Sequence, residues 1–283
     1  MNLAALVAYD GTRFAGFQRQ PPERGATIQG ALEQAFQQIA GVAVTVEAAG
    51  RTDSGVHASG QVVNAQVPDR LDVRVWQRGL NALLPADIAI RDVCVVGEKF
   101  RARRCALSRT YRYHILVDAV RSPLEERFAW RVSHTLDVDA MREAAEVLLG
   151  EHDFAAFGSS PADQRGTGRH AHTVRAMLAV SCAPVAAASG NAHGVEVTFT
   201  ANAFLSGMVR RLIGTLVLVG EHRLTTGDFH TILEARDKAH PGAAAPAHGL
   251  CLTNVEYPAD SLQWQTGQQT DRYRAGRVMW SET

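Results

Sequence analysis

One carboxylate stands out by its setting: Asp53 lies in GRTDSGVHASG, flanked by Gly50, Gly55 and Gly60, with Arg51 and His57 as neighbours. A short acid on a glycine-rich turn can serve as a nucleophile or general base, because glycine lets the backbone approach a ligand closely. The same composition also suits a plain hairpin in which Asp53 accepts main-chain hydrogen bonds. A second group is cationic. Residues 99–112, KFRARRCALSRTYR, carry Lys99, Arg101, Arg103, Arg104, Arg109 and Arg112 and no acid, a pattern suited to phosphate contact. The run continues into RTYRYHILV, where strand alternation puts Arg109, Tyr111 and Tyr113 on one face. Aromatic rings beside cations suit base stacking; equally, both tyrosines could fill a core with their hydroxyls hydrogen-bonded. A third group is the pair Arg210 and Arg211, set inside the apolar ANAFLSGMVRRLIGTLVLVG. A buried arginine needs a carboxylate partner, for which Asp53 is a candidate, whereas a solvated helix face needs none.

Other chemistries fit less well. Glycoside hydrolysis needs two carboxyl groups facing one bond, and the loop offers one. His170 and His172 have no nearby Cys or acid to complete a metal set. Gly166-x-Gly168-x-x-Ala171 follows a polar loop rather than a strand, so it is not a dinucleotide fingerprint. No G-x-S-x-G elbow occurs.

The elements that must position these groups follow from hydrophobic periodicity. LAALVAY (3–9) predicts a strand ended by the Asp10-Gly11 turn, and helical spacing from Thr27, a candidate N-cap, runs to Gly41. Strands follow at 42–48 and 61–67, a helix at 72–84 and a strand at 88–96. This is β-α-β-β-α-β, the ferredoxin-like order. The second half repeats it: strand 109–117, helix 137–149 capped by Asp137, strands 174–182 and 194–200, helices 203–219 and 226–236, and a last strand at 250–256. The reading is α+β, with domains at 1–105 and 106–258 and a polar tail at 259–283. Two long loops remain, 153–172 and the Ala- and Pro-rich 237–249. Residues 203–219 are more apolar than one face requires, so part of that helix is expected at a subunit or domain interface.

Composition narrows the classes. Hydrophobic residues at 46% and charged residues at 20% exclude a disordered chain. No apolar run approaches ~18 residues, so no membrane span is expected, and the N-terminus reads as a strand rather than an export signal. The four cysteines form no C-x-x-C pair, which argues against a disulfide scaffold and for a reducing, cytoplasmic setting. A formal net charge of zero argues against indiscriminate coating of nucleic acid but permits a local basic footprint.

Taken together, GRTDSGVHASGQV, YDGTRFAGFQRQ, NALLPADIAI, FRARRCALSRTYRYHI, LLGEHDFAAF and ANAFLSGMVRRLIG resemble the bacterial tRNA pseudouridine synthase A family in order and spacing, from about Leu3 to Tyr257. The resemblance implies the pseudouridine synthase fold: two tandem ferredoxin-like halves around a central antiparallel sheet, with a cleft between the halves. It implies isomerisation of uridine to pseudouridine at positions 38 to 40 of the tRNA anticodon stem-loop, by a homodimer without cofactor or metal. It makes Asp53 the catalytic aspartate, Tyr111 the residue packed on the target uracil, Arg210 the partner of the aspartate, and Arg51 the group that fills the place of the displaced nucleotide. Phe100, Arg101, Ala102, Arg103 and Arg104 would touch RNA, as would Arg165 and Arg169. Phe17 stands where the family usually has Trp, Ser54 where it has Ala, and Ser206-Gly207 where it has bulkier residues. A non-catalytic RNA-binding module with tandem RRM-like sheets is the other class considered, but no RNP1-like aromatic run occurs and Asp53 would have no use there.

Overall fold

Caps and apolar spacing produce the expected alternation of strands and helices. A computed structural model describes residues 1–159, 173–186, 193–235 and 242–264. In chain order the elements are β1 (Asn2–Tyr9), α1 (Ile28–Ala40), β2 (Val46–Ala48), β3 (His57–Gln66), α2 (Val73–Leu83), β4 (Ile88–Val96), β5 (Ser108–Val117), β6 (Trp130–Val132), α3 (Val138–Glu146), β7 (Gly150–Asp153), β8 (Val174–Ala186), β9 (His193–Ala201), α4 (Met208–Gly220), α5 (Thr226–Ala235) and β10 (Leu250–Glu256). The chain forms two compact units. One is Met1–Arg109 with the described residues from Cys251 onward; the other is the described part of Thr110–Leu250.

In the first unit the strands run β4-β1-β3, with β2 pairing the far end of β3, the ferredoxin-like order. β1 is antiparallel to both β3 and β4. β10 lies parallel to β3, with Cys251 opposite His57 and Leu252 opposite Ala58. By spatial contact the last strand therefore sits with the first unit, although sequence order places it after the second half. The helices begin at polar caps: Thr27 Oγ1 accepts from the Gly30 amide at 3.2 Å, and Asp72 Oδ1 accepts from the Arg74 amide at 2.8 Å. Phe36 of α1 meets Trp76 of α2 with ring centroids 5.8 Å apart, both fully buried. Each such aromatic contributes roughly 1.5–3 kcal/mol by burial.

In the second unit the order is β5-β9-β8-β7, with β6 parallel to β5. β8 is antiparallel to β7 and to β9. Asp137 Oδ1 caps α3 through the Ala140 amide at 2.9 Å. Met141, Leu212, Leu216 and Phe229 from α3, α4 and α5 are fully buried.

Five boundaries differ from the periodicity by three residues or more, one being the end of β8, which runs to Ala186 rather than 182. The 42–48 strand shrinks to three residues because Val42 to Thr45 do not pair, while β3 starts four residues early, at His57. α3 stops at Glu146, before Leu148 and Leu149. α4 begins at Met208 rather than 203, because Gly207 takes a left-handed φ of +71° and Ser206 forms an isolated bridge with Ser159. β6 and β7, of three and four residues, were not anticipated; each is too short to show alternation. No helix among the described residues is long and apolar enough to cross a membrane.

Candidate active site

In the first unit Asp53 sits on the connection between β2 and β3, half-buried, with Arg51 exposed beside it and Thr52 buried. The turn is tight, the Val56 amide donating to the Asp53 carbonyl at 3.2 Å. The loop after β1 holds it from outside. The Phe17 amide donates to the Thr52 carbonyl at 3.0 Å, the Ser54 hydroxyl donates to the Phe14 carbonyl at 3.1 Å, and the Gly11 amide donates to His57 Nδ1 at 3.1 Å. Asp10 Oδ1 lies 3.1 Å from the same nitrogen. Gly16 has a φ of +99°, and a Cβ there would lie 3.0 Å from the Thr52 carbonyl and 3.2 Å from the Ser54 amide. A Cβ at Gly11 would lie 2.0 Å from the Val56 carbonyl. These two glycines let one loop seat flush against the other.

From the sheet, the Tyr9 hydroxyl of β1 is 2.8 Å from Thr52 Oγ1, and Gln61 Nε2 of β3 donates to the Gly50 carbonyl at 2.7 Å. Burial pushes the Tyr9 phenol well above its ordinary value, the Thr52 and Gln61 hydrogen bonds only partly opposing it. Tyr9 is thus a fixed neutral post. Two of the departures from the family pattern are accommodated here: Phe17 is buried 6.3 Å from the Tyr9 ring, and Ser54 makes the hydrogen bond named above.

The basic segment is pinned through its backbone. The Ala102 amide donates to Asn64 Oδ1 at 2.8 Å, and the Ala102 carbonyl accepts from the Tyr257 hydroxyl at 2.7 Å. Buried Arg109 donates to the Ala49 carbonyl at 2.9 Å and to the Arg103 carbonyl at 2.6 Å, tying this segment to the start of the Asp53 loop. Within FRARR, Phe100 and Ala102 point inward at 7% and 0% exposure, Phe100 stacking obliquely on Tyr257 at 5.2 Å. Arg101 is half-buried and folds back on the Glu98 and Phe100 carbonyls at 2.9 Å. Arg103 and Arg104 are exposed.

In the second unit Tyr111 of β5 is 7% exposed and meets Phe204 edge-on, centroids 5.1 Å apart. Tyr113, two residues on, is fully buried. Arg210 lies in the first turn of α4, where its Nε donates to the Ala245 carbonyl at 2.7 Å. Arg211 Nη1 donates to the Phe157 carbonyl at 3.3 Å. Both arginines are half-buried and hydrogen-bonded rather than set on a solvated face. Arg165 and Arg169, like His170 and His172, lie outside the described residues.

Sequence reasoning did not single out Asn64, Gln61, Asn2 or Tyr257, whose amides and hydroxyl hold these segments. Polar residues at inward positions of β1 and β3 were the available signal: Asn2, Gln61 and Asn64 are all buried.

The family model described as tRNA pseudouridine synthase matches residues 5–103 and 144–258. A Chloroflexus aurantiacus protein named tRNA pseudouridine synthase A is 43% identical over 266 residues, covering 93% of this chain and 91% of its own. A protein of the same name from a Geobacter species is 40% identical over 258 residues, covering 91% of this chain and 99% of its own. One from Burkholderia thailandensis is 42% identical over 264 residues, covering 92% and 91%. With nearly every element described above falling inside those matches, the chain belongs to the tRNA pseudouridine synthase family.

Proposed function

We propose that this chain isomerises uridine to pseudouridine in tRNA, at positions 38 to 40 of the anticodon stem-loop. One observation carries the reading: the buttressed loop presenting Asp53 lies within the residues 5–103 that match the tRNA pseudouridine synthase family model, and a carboxylate so held can act as nucleophile or base. The reaction breaks the N1–C1′ bond, turns the uracil and joins C5 to C1′. The product has the composition of the substrate, since C5 gives up a hydrogen and N1 gains one. No co-substrate or redox partner is therefore required.

A stacked nucleotide is out of reach of a side chain, so the target is extruded at a cost of roughly a few kcal/mol. Arg51, exposed beside the acid, is assigned to the vacated place. Asp53 acts as nucleophile or base, Arg210 is its cationic partner, and Tyr111 holds the uracil flat by stacking. Arg103 and Arg104 are the members of FRARR with side chains available to phosphates, while Phe100 and Ala102 support them from within. Arg165 and Arg169 complete the assigned RNA contacts.

The reading includes a homodimer acting in the cytoplasm. Light scattering at micromolar concentration is expected to return twice the 30.6 kDa chain mass, and a 30.6 kDa species would remove the dimer from the account. The function is tested by incubating the pure protein with an unmodified tRNA transcript and mapping pseudouridine by mass spectrometry. Pseudouridine confined to the anticodon stem-loop supports the reading; unchanged uridines throughout defeat it.

A further inference from the structure

The Ala- and Pro-rich stretch before β10 has no part in the chemistry above, yet its described residues are laid along α4 in an ordered way. The Gly242 amide donates to Thr215 Oγ1 at 2.9 Å. The Ala245 amide donates to the Arg210 carbonyl at 2.9 Å, and Arg210 Nε donates in return to the Ala245 carbonyl at 2.7 Å. Gly214 leaves the room that makes this possible, since a Cβ there would stand 1.9 Å from the Ala243 carbonyl. On the far side the Tyr113 hydroxyl of β5 donates to the Pro246 carbonyl at 2.8 Å. Burial drives the Tyr113 phenol far above its ordinary value, and the Arg210 charge only partly opposes this. The strap also explains why α4 is apolar on more than one side: α3 covers one side and the strap another, within the same unit.

A segment that merely joined α5 to β10 would have no reason to pair twice with one arginine, once through its main chain and once through its side chain. A guanidinium on a flexible stem can present its donors in many planes; one Nε–H held by a main-chain carbonyl selects a plane. That carbonyl is in turn fixed at Gly242, Ala245 and Pro246. We infer that Gly242–Pro246 is a positioning strap for Arg210, with Tyr113, Gly214 and Thr215 as the positioning residues that seat it. The inference rests on the role given to Arg210 in the proposed function.

Three variants test it. Tyr113→Phe and Thr215→Val each delete one hydroxyl without adding bulk, and Gly214→Ala drives a methyl group into the strap. The first two are expected to lower kcat about threefold to tenfold, the value of the one neutral hydrogen bond each makes to the strap, and the third about tenfold or more, with KM for tRNA within about twofold. Repeated in an Arg210→Ala background, the same changes are expected to cost less than about twofold, because their target is gone. Equal losses in both backgrounds, or an unchanged kcat, overturn the inference. A second arm needs no activity. In arginine-labelled protein the Arg210 Nε–H resonance, assigned by its loss in Arg210→Lys, is expected to exchange slowly with water in the wild type and about tenfold faster in Tyr113→Phe and Thr215→Val. Fast exchange in the wild type, or no change in the variants, overturns the strap. If Gly214→Ala does not fold, the two hydroxyl deletions decide. If the wild type forms no pseudouridine, the functional reading fails while the exchange arm still judges the strap; if it does and the variants keep full kcat, the strap fails alone.

Discussion

His114 and Arg112 of β5 both face Glu196 of β9, at 3.6 and 3.5 Å. Burial, and after it the Arg112 charge, push the imidazole down to about 4 from its ordinary 6.5. The nearby carboxylate does not reverse this, because burial also pushes the Glu196 carboxyl up. Between those two values the unfolded chain binds a proton that the folded protein refuses, so the contribution of neutral His114 is complete above about pH 6.5 and is lost as pH falls toward 4. Urea unfolding is expected to show a loss of roughly 1–2 kcal/mol between pH 7 and pH 5, and His114→Gln is expected to flatten that slope. An identical slope in the variant would assign the effect elsewhere. At this scale the sequence marks out candidates for chemistry, since Asp53 and Arg210 stand out by charge in glycine-rich or apolar surroundings. It did not show direction. FRARR reads as RNA-facing throughout, yet Phe100 and Ala102 face the interior, where Asn64 and Tyr257 hold the Ala102 backbone.

The loop between β1 and α1 is the element on which the Asp53 loop depends. Gly16→Ala forces an L side chain into a φ of +99° and against the Thr52 carbonyl. It is expected to lower stability by about 1–2 kcal/mol in thermal or urea melts. It should also depress kcat more than KM, since the carboxylate rather than the RNA-binding surface is disturbed. A larger effect on KM would assign Gly16 to tRNA binding instead. Legibility at this scale followed cooperativity. α1 and α3 announced themselves through Thr27 and Asp137, whose caps act locally, and α2 through its apolar spacing. The start of α4 did not, because Phe204 keeps helical spacing with Met208 and only the pairing of Ser206 with Ser159 shows that the helix waits for Gly207. The strap before β10 reads as a loop because the described contacts that order it are made with α4 and Tyr113, far off in sequence.

Over the whole molecule, 29 basic and 29 acidic residues cancel, so RNA affinity depends on where arginine is exposed rather than on net charge. Arg103→Ala and Arg104→Ala are each expected to reduce the slope of log affinity for tRNA against log salt by about 1 while leaving melting temperature unchanged. An unchanged slope would mean that these side chains do not meet phosphates. The ferredoxin-like order of the first half was legible because its periods and caps agree; the pairing of β10 with β3 was not, since a parallel partner nearly 200 residues away leaves no local trace. The most direct measurement of the account is the fate of tRNA uridines with Asp53→Asn, which keeps the shape of the side chain and removes its charge. The account predicts tRNA binding close to that of the unaltered protein and pseudouridine formation reduced by about 10²–10⁴-fold. Pseudouridine formed at an undiminished rate would contradict it.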